Sequence, residues 1–336
     1  SVVLRGQKYQ QALQKYLMDR KIEYFAPWRS WTEVQEIASK FEDRTWKLSA
    51  DYDKMDQHFN VHHAKIVFEV IKHYFKRAYW DDVWKSIEYV FTQPCVTPEG
   101  YVDQDHSLFS GESWTNLLET VYNYIMWKFI KLTYHIHVKH AVGIGDDQLV
   151  EILNSENWTP KQADKVLDLI IHVYQMFGTP GNKEKNLFSR DTFEFCQRKA
   201  TKTWNGRNGK TKWALAYRLS RWFEMNRWPE RFHNERMEAN GKKVNIYNKF
   251  TFVYQGIMRT ENLINSPKFD WAVKFLMNSN PAVKKFIALK NSEVLQQEKR
   301  ARKISGLYET YNQEQANKGI FDFETFKELR RLLRTS

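Results

Sequence analysis

The spacing of apolar and polar positions changes period several times along the chain. Residues 7–20 and 32–41 carry apolar side chains at helical intervals. In "RTWKLSAD" the period drops to two, and Trp46, Leu48 and Ala50 share one face, as in a half-buried strand. "HHAKIVFEVIKHYF" returns to the helical period and predicts a helix that buries Ile66, Val67, Val70, Ile71 and Tyr74. Asp81 or Asp82 can cap the next helix, which stops before Pro94. "CVTPEGYV" reads as a hairpin with Pro-Glu-Gly at its turn, and "FSGESW" as a loop opening a long apolar helix from about Trp114 to Lys131. "IHVKHAVGIGDDQLVEIL" reads as strand, tight turn, strand. Thr159 and Pro160 give an N-cap and a first-turn proline for a helix to Met176. "FGTPGNKEKN" ends that helix, "DTFEFCQR" is a further strand, and the pattern from about Lys210 onward is helical. The order of elements fits an α+β split βαβ layout, an antiparallel sheet with helices on one face. In such a sheet the first strand and the Gly145–Asp147 turn are neighbours. A domain boundary falls near residue 205.

Composition narrows the partner. The chain has 336 residues, enough for two domains, and 42% hydrophobic with 15% aromatic residues makes it globular rather than disordered. Lys and Arg exceed Asp and Glu by 52 to 40, a net charge of +12 that points to a polyanionic partner. The two cysteines, Cys95 and Cys196, form no disulfide framework and no zinc-type pair. No apolar run reaches the length of a membrane span. His135, His137 and His140 lack cysteine partners for zinc and sit on the strand that leads to the turn. From Phe195 to Arg221 there is no acidic residue, while Arg198, Lys199, Lys202, Arg207, Lys210 and Lys212 alternate with Trp204, Trp213 and Tyr217. Such a run suits sequence-independent phosphate contacts, with Trp213 and Tyr217 as packing residues.

The acidic residues supply the candidate chemistry. The first strand ends at Asp51, and Asp56 follows five positions later. If that strand lies beside the 143–150 hairpin, Asp51, Asp146 and Asp147 converge. Clustered carboxylates are costly unless a raised pKa or a cation relieves them, and oxygen-only ligands with room for phosphates suit Mg²⁺. Each piece alone is ordinary: Gly-Asp-Asp is a common surface turn, and the Ser-Gly loop before Thr115 is a cap signal.

Together and in this order, "DYDKMD", "SGESWT" and "GDD" resemble motifs A, B and C of viral RNA-dependent RNA polymerases. "DYDKMDQHFN" and "SGESWTNLLET" resemble the polymerases of picobirnaviruses, within the partitivirus–picobirnavirus group of double-stranded RNA viruses. The resemblance implies a right-hand polymerase palm followed by a mostly helical thumb. Residues 1–43 would join fingers to palm, 44–205 would form the palm and 206–336 the thumb and C-terminal tail. It also implies that the chain begins downstream of the fingers. Carried over by position, Asp51, Asp146 and Asp147 are catalytic metal ligands, with the Tyr52 carbonyl completing a shell for two Mg²⁺ ions or Mn²⁺ in their place. Asp56 reads the ribose 2′-hydroxyl, and Ser110, Gly111, Thr115 and Asn116 line the nucleotide side. One departure stands out: Glu119 occupies the place where many plus-strand enzymes have Asn, which leaves open the partner of Asp56. "GNKEKN" resembles motif D, with Lys185 as general acid and Lys183 as the alternative. "FEFCQRK" resembles motif E. The implied partners are RNA template and product, ribonucleoside triphosphates and a viral capsid protein, with no membrane, inside the virion or in the host cytoplasm. Two other readings remain: an incompetent RNA-binding polymerase fragment and a reverse transcriptase-like nucleotidyl transferase.

Overall fold

The computed structural model describes residues 2–98, 100–102, 105–109, 111–202, 213–227, 234–239, 242–247, 266–290, 292–293 and 323–334, with single or paired positions between 253 and 263. The chain divides into two units, Ser1–Cys196 and Gln197–Ser336. In the first, α1 (Val2–Asp19), α2 (Ala26–Arg29) and α3 (Trp31–Ala38) precede β1 (Lys47–Ala50). Then come α4 (Met55–His58), α5 (Val61–Ile71), α6 (Trp80–Thr92) and the hairpin β2 (Cys95–Thr97)–β3 (Gly100–Val102). The long α7 (Thr115–Tyr134) leads into the hairpin β4 (Val138–Ile144)–β5 (Asp147–Ile152), followed by α8 (Pro160–Met176), β6 (Leu187–Ser189) and β7 (Glu194–Phe195).

The main sheet has the order β4-β5-β1-β6, and all three pairings are antiparallel. Leu48, Ala50, Val150 and Ile152 alternate onto one face and join the core built with α5, α7 and α8, which includes Val67, Leu117, Val121, Ile170 and Tyr174. The strand was expected to be half-buried, yet every β1 residue is buried. Its second face is covered too. Ser49 accepts the Glu194 N–H at 2.8 Å, Phe193 packs against Phe41, and Phe195 stacks on Trp31. Lys47 tolerates burial because its ammonium donates to the carbonyls of Glu42 and Arg190.

Two sequence readings of helices need correction. α5 buries Val67 and Ile71 as expected, but it exposes Ile66 and Val70 and buries His63, Ala64 and Phe68; Tyr74, in the turn after the helix, is exposed too. Three consecutive apolar residues, Ile66 to Phe68, let the periodicity fit two faces. The cap decides between them: Asn60 accepts from His62 and His63, and the His63 ring is drawn inward to the Phe177 carbonyl at 2.6 Å. α6 takes Tyr79 as its N-cap, so Asp81 and Asp82 lie in the first turn, where Asp82 accepts from Arg5 and Tyr9. By contrast, α8 has the expected Thr159 cap, as a full capping box with Gln162.

The second unit carries strands as well as helices, although the pattern from about Lys210 onward was read as helical. β8 (Arg198–Thr201) pairs antiparallel with β9 (Ala214–Tyr217), and β10 (Asn234–Ala239) with β11 (Lys242–Tyr247). A separate core gathers Trp222 of α9 (Leu219–Arg227) with Phe269, Val273 and Met277 of the helix Phe269–Ser279. Val283, Phe286, Leu329 and Leu332 complete it.

Candidate active site

The ladder between β1 and β5 sets Ala50 opposite Gln148. One step further along that antiparallel register, Asp51 leaves β1 beside Asp147, the first residue of β5. β4 and β5 are joined through Gly145 and Asp146 alone, since Ile144 pairs with Asp147. The hairpin is therefore a two-residue turn, and Gly145 takes the left-handed φ of +57° that a first turn position of this kind demands. Gly143 is a glycine for a different reason. A Cβ there would lie 2.3 Å from the Tyr24 ring, which crosses the backbone and donates to Gln148 at 3.2 Å. The "GIGDD" spelling thus combines a close approach with a turn, and it delivers Asp146 exposed and Asp147 half-buried at the end of the sheet.

The carboxylates feel one another. Burial, then the charge of Asp146, raises the Asp51 carboxyl, while Lys185 pulls it back. Asp147 is pushed up to about 6 by burial first, then by Asp146 and Asp51, against the opposing pull of the Cys196 thiol bonded to it. The loop after Asp51 is pinned from α8's far end. Asp53 N–H donates to the Pro180 carbonyl at 3.1 Å, Tyr52 bridges Gly181, and Asn186 donates to the Asp51 carbonyl at 3.1 Å. Lys54 adopts φ +54° and turns the chain into α4, whose first turn carries Asp56.

α7 approaches the same place. Thr115 opens it and its hydroxyl donates to the Phe109 carbonyl at 2.7 Å. Asn116 accepts from the Trp28 indole at 2.8 Å. Gly111 lies in the loop before the helix at φ +95°, and Ser110 lies outside the described residues. Glu119 is buried directly beneath the turn: its Oε2 would be 3.3 Å from a Cβ on Gly145. Burial first, then Asp146 and Asp56, pushes its carboxyl up from 4.5 to about 8. A carboxyl raised in the folded state holds its proton there after the unfolded chain has lost it, so stability falls as pH rises through that window. Thermal melts of the metal-free protein are expected to drop progressively between pH 4.5 and 8, and Glu119→Gln to flatten that slope.

Lys185 and Lys183 part company. Lys185 bonds Asp53 at 2.8 Å, and its ammonium feels Asp51 and Asp146. Lys183 is held on α8 by Asp164 at 2.8 Å and Asp168 at 2.6 Å.

A family model for viral RNA-dependent RNA polymerases matches residues 2–254. The chain belongs to that family. Its fold is similar to the crystal structure of the RNA-dependent RNA polymerase of a human picobirnavirus, with a TM-score of 0.69 at 15% identity, covering 94% of this chain and 60% of that one. An insertion-loop deletion mutant of the picobirnavirus enzyme gives 0.68 at 15% identity, covering 94% and 58%. The chain thus spans about three fifths of the length of these solved polymerases. No curated protein matches it.

For a polymerase of this family a divalent cation is the implied cofactor, and the donor set can be judged against it. Asp51, Asp146 and Asp147 offer hard oxygen ligands only, and their mutual repulsion is what a dication removes. In kind they fit. Among the described residues, no three His, Cys, Asp or Glu side chains are drawn around one point tightly enough to hold an ion. The carboxylates are neighbours at the sheet end, not a closed cage. Of the basic residues, Arg198 lies over Tyr217 at 4.4 Å and Lys202 over Trp213 at 4.7 Å, so these aromatics pack under cations, and Lys199 is exposed. Arg207, Lys210 and Lys212 lie outside the described residues.

Sequence reading missed the polar stripe Asn116, Glu119, Thr120 and Asn123 as a unit. The signal was there: these positions recur at intervals of three and four on an otherwise apolar helix, so they share the face that meets the turn. Among the described residues, no helix is long and apolar enough to cross a membrane.

Proposed function

We propose that this chain is the palm-and-thumb portion of an enzyme that copies RNA by two-metal nucleotidyl transfer. Residues 1–43 would join fingers to palm, 44–205 form the palm and 206–336 the thumb and tail. The observation that carries the reading is the adjacency of Asp51 and the Asp146–Asp147 turn across neighbouring antiparallel strands. Two Mg²⁺ ions, or Mn²⁺ in their place, would supply charge neutralisation for the attacking and leaving oxygens.

The protein's own groups do the rest. Asp51, Asp146 and Asp147, with the Tyr52 carbonyl, hold the cations. Asp56 accepts from the ribose 2′-hydroxyl, and Ser110, Gly111, Thr115 and Asn116 border the nucleotide. The primer 3′-hydroxyl would lose its proton to solvent as its oxygen bonds the α-phosphorus and the bond to pyrophosphate breaks. Lys185 would deliver a proton to the departing pyrophosphate, with Lys183 the alternative; its place within the field of Asp51 and Asp146 supports this choice. Lys185→Ala is expected to slow incorporation by about 10²-fold or more, the scale of a lost general acid, and Lys183→Ala to change it little. Single-turnover rates would separate the two. Arg198, Lys199, Lys202, Arg207, Lys210 and Lys212 would contact RNA phosphates. The setting is the virion interior or host cytoplasm, with capsid protein as a further partner.

The test uses the full-length polymerase, an RNA template and labelled ribonucleotides. Incorporation that requires template and Mg²⁺, and stops with chelator, supports the reading. Salt-sensitive RNA binding without incorporation would replace it with an RNA-binding module.

A further inference from the structure

The two-residue turn leaves a backbone problem below it. Gly145 lies off the β4–β5 ladder, so its N–H and C=O need partners from elsewhere. α7 supplies both. Gly145 N–H donates to Thr120 Oγ1 at 2.8 Å, and Asn123 Nδ2 donates to the Gly145 carbonyl at 2.7 Å. Thr120 Oγ1 spends its own proton on the Asn116 carbonyl at 2.5 Å, which leaves a lone pair aimed at the turn. The Asn123 amide has one assignment only, since the Gly145 carbonyl accepts and must face Nδ2. Its Oδ1 therefore points the other way, where it accepts from the Tyr52 hydroxyl at 2.5 Å.

Tyr52 follows Asp51, and Gly145 precedes Asp146. Asn123 thus ties the residue next to one acidic ligand to the residue next to the other. Thr120 and Asn123 are fully buried, and Tyr52 is 2% exposed, so water cannot substitute for these bonds. Tyr52 is further locked by its ring contact with Tyr174, at 4.8 Å between centroids.

We infer that Asn123 and Thr120 are positioning residues that fix the separation of Asp51 and Asp146 and thereby set the affinity of the site for divalent cations. The inference rests on the proposed two-metal reading. Partners of this kind, which hold ligands without touching the ion, typically carry 10–100-fold in metal affinity or activity.

The experiment measures Mn²⁺ binding by electron paramagnetic resonance and the Mg²⁺ concentration giving half-maximal incorporation, on the full-length polymerase. Asn123→Leu and Thr120→Val are expected to weaken Mn²⁺ binding about tenfold or more and to shift the Mg²⁺ requirement equally. Both should lower kcat more than they raise the nucleotide KM. Thr120→Ser keeps the acceptor and is expected to restore wild-type binding. Tyr52→Phe breaks only one link and should give an intermediate shift. If Asn123→Leu fails to fold, Thr120→Val and Tyr52→Phe carry the test. Mn²⁺ binding within twofold of wild type in the folded variants overturns the inference alone. A wild-type protein that binds no Mn²⁺ overturns the two-metal reading, and the inference with it.

Discussion

Asp146→Asn in the full-length polymerase is expected to abolish nearly all nucleotide incorporation, a loss of at least about 10²–10³-fold, the scale seen when one preorganised charge-stabilising group is removed from an active site. The same substitution should leave the metal-free protein as stable as before or more so. Asp146 is exposed at the tip of the turn, so little packing is lost. Its charge raises the carboxyls of Asp51, Asp147 and Glu119, so removing it relieves repulsion at three places. Rapid-quench incorporation and thermal melts, run on one preparation, check both halves. A variant that is inactive because it is unfolded would contradict the argument, as would one that incorporates at near wild-type rate. Asp147→Asn is the softer change. Asp147 is half-buried and shares its charge with the Cys196 thiol, so part of its environment survives neutralisation.

Sequence pattern made the site legible where a local rule acts over a few residues. The two-residue turn, the Thr159 cap and the period-two run of β1 are each written within a handful of positions, and the order of the acidic motifs then fixes which strand ends meet. What stayed hidden depends on a second surface. Lys47 and Ser49 looked solvent-facing because polar residues alternate with Leu48 and Ala50. They are buried because the segment of β7 returns from far along the chain and packs with nearby Phe41 to cover them. The buried face of α5 was read correctly at Val67 and Ile71 but shifted elsewhere, because Ile66, Val67 and Phe68 are equally apolar and the Asn60 cap with its partner His63 selects between them. The polar stripe of α7 had the right spacing, but its purpose needs the orphaned backbone of Gly145 to be in view. In the sequence Cys196 carried no sign of its neighbour. It leaves β7 as the first of two consecutive left-handed residues, at φ +47°, and that turn brings its thiol to Asp147.

Asp56→Ala is expected to relax the preference for ribonucleotides over deoxynucleotides by on the order of 10²-fold or more, measured as the ratio of kcat/KM for the two. A buried polar group that bonds a substrate hydroxyl rejects the analogue lacking it by up to about 10⁴–10⁵, because the group is then left unpaired. Asp56, partly exposed, is held in place for such a contact. The left-handed Lys54 turns the chain sharply after Asp51, α4 begins at once, and the Asp56 Oδ1 is fixed by the Gln57 N–H at 2.9 Å. Glu119 faces it from α7, and the charge of Asp56 helps push the Glu119 carboxyl up to about 8. A carboxyl protonated at neutral pH can donate where an asparagine amide would, and the proposal is that Glu119 partners Asp56 in this way. Glu119→Gln should therefore keep discrimination near wild type, whereas Glu119→Leu should lose it along with Asp56→Ala. An unchanged ratio in Asp56→Ala would remove Asp56 from hydroxyl reading. A wild-type enzyme that prefers deoxynucleotides would move the chain toward reverse transcriptase-like chemistry. Burst kinetics with each nucleotide separate these outcomes, since ground-state binding and the chemical step respond differently to loss of a hydroxyl contact.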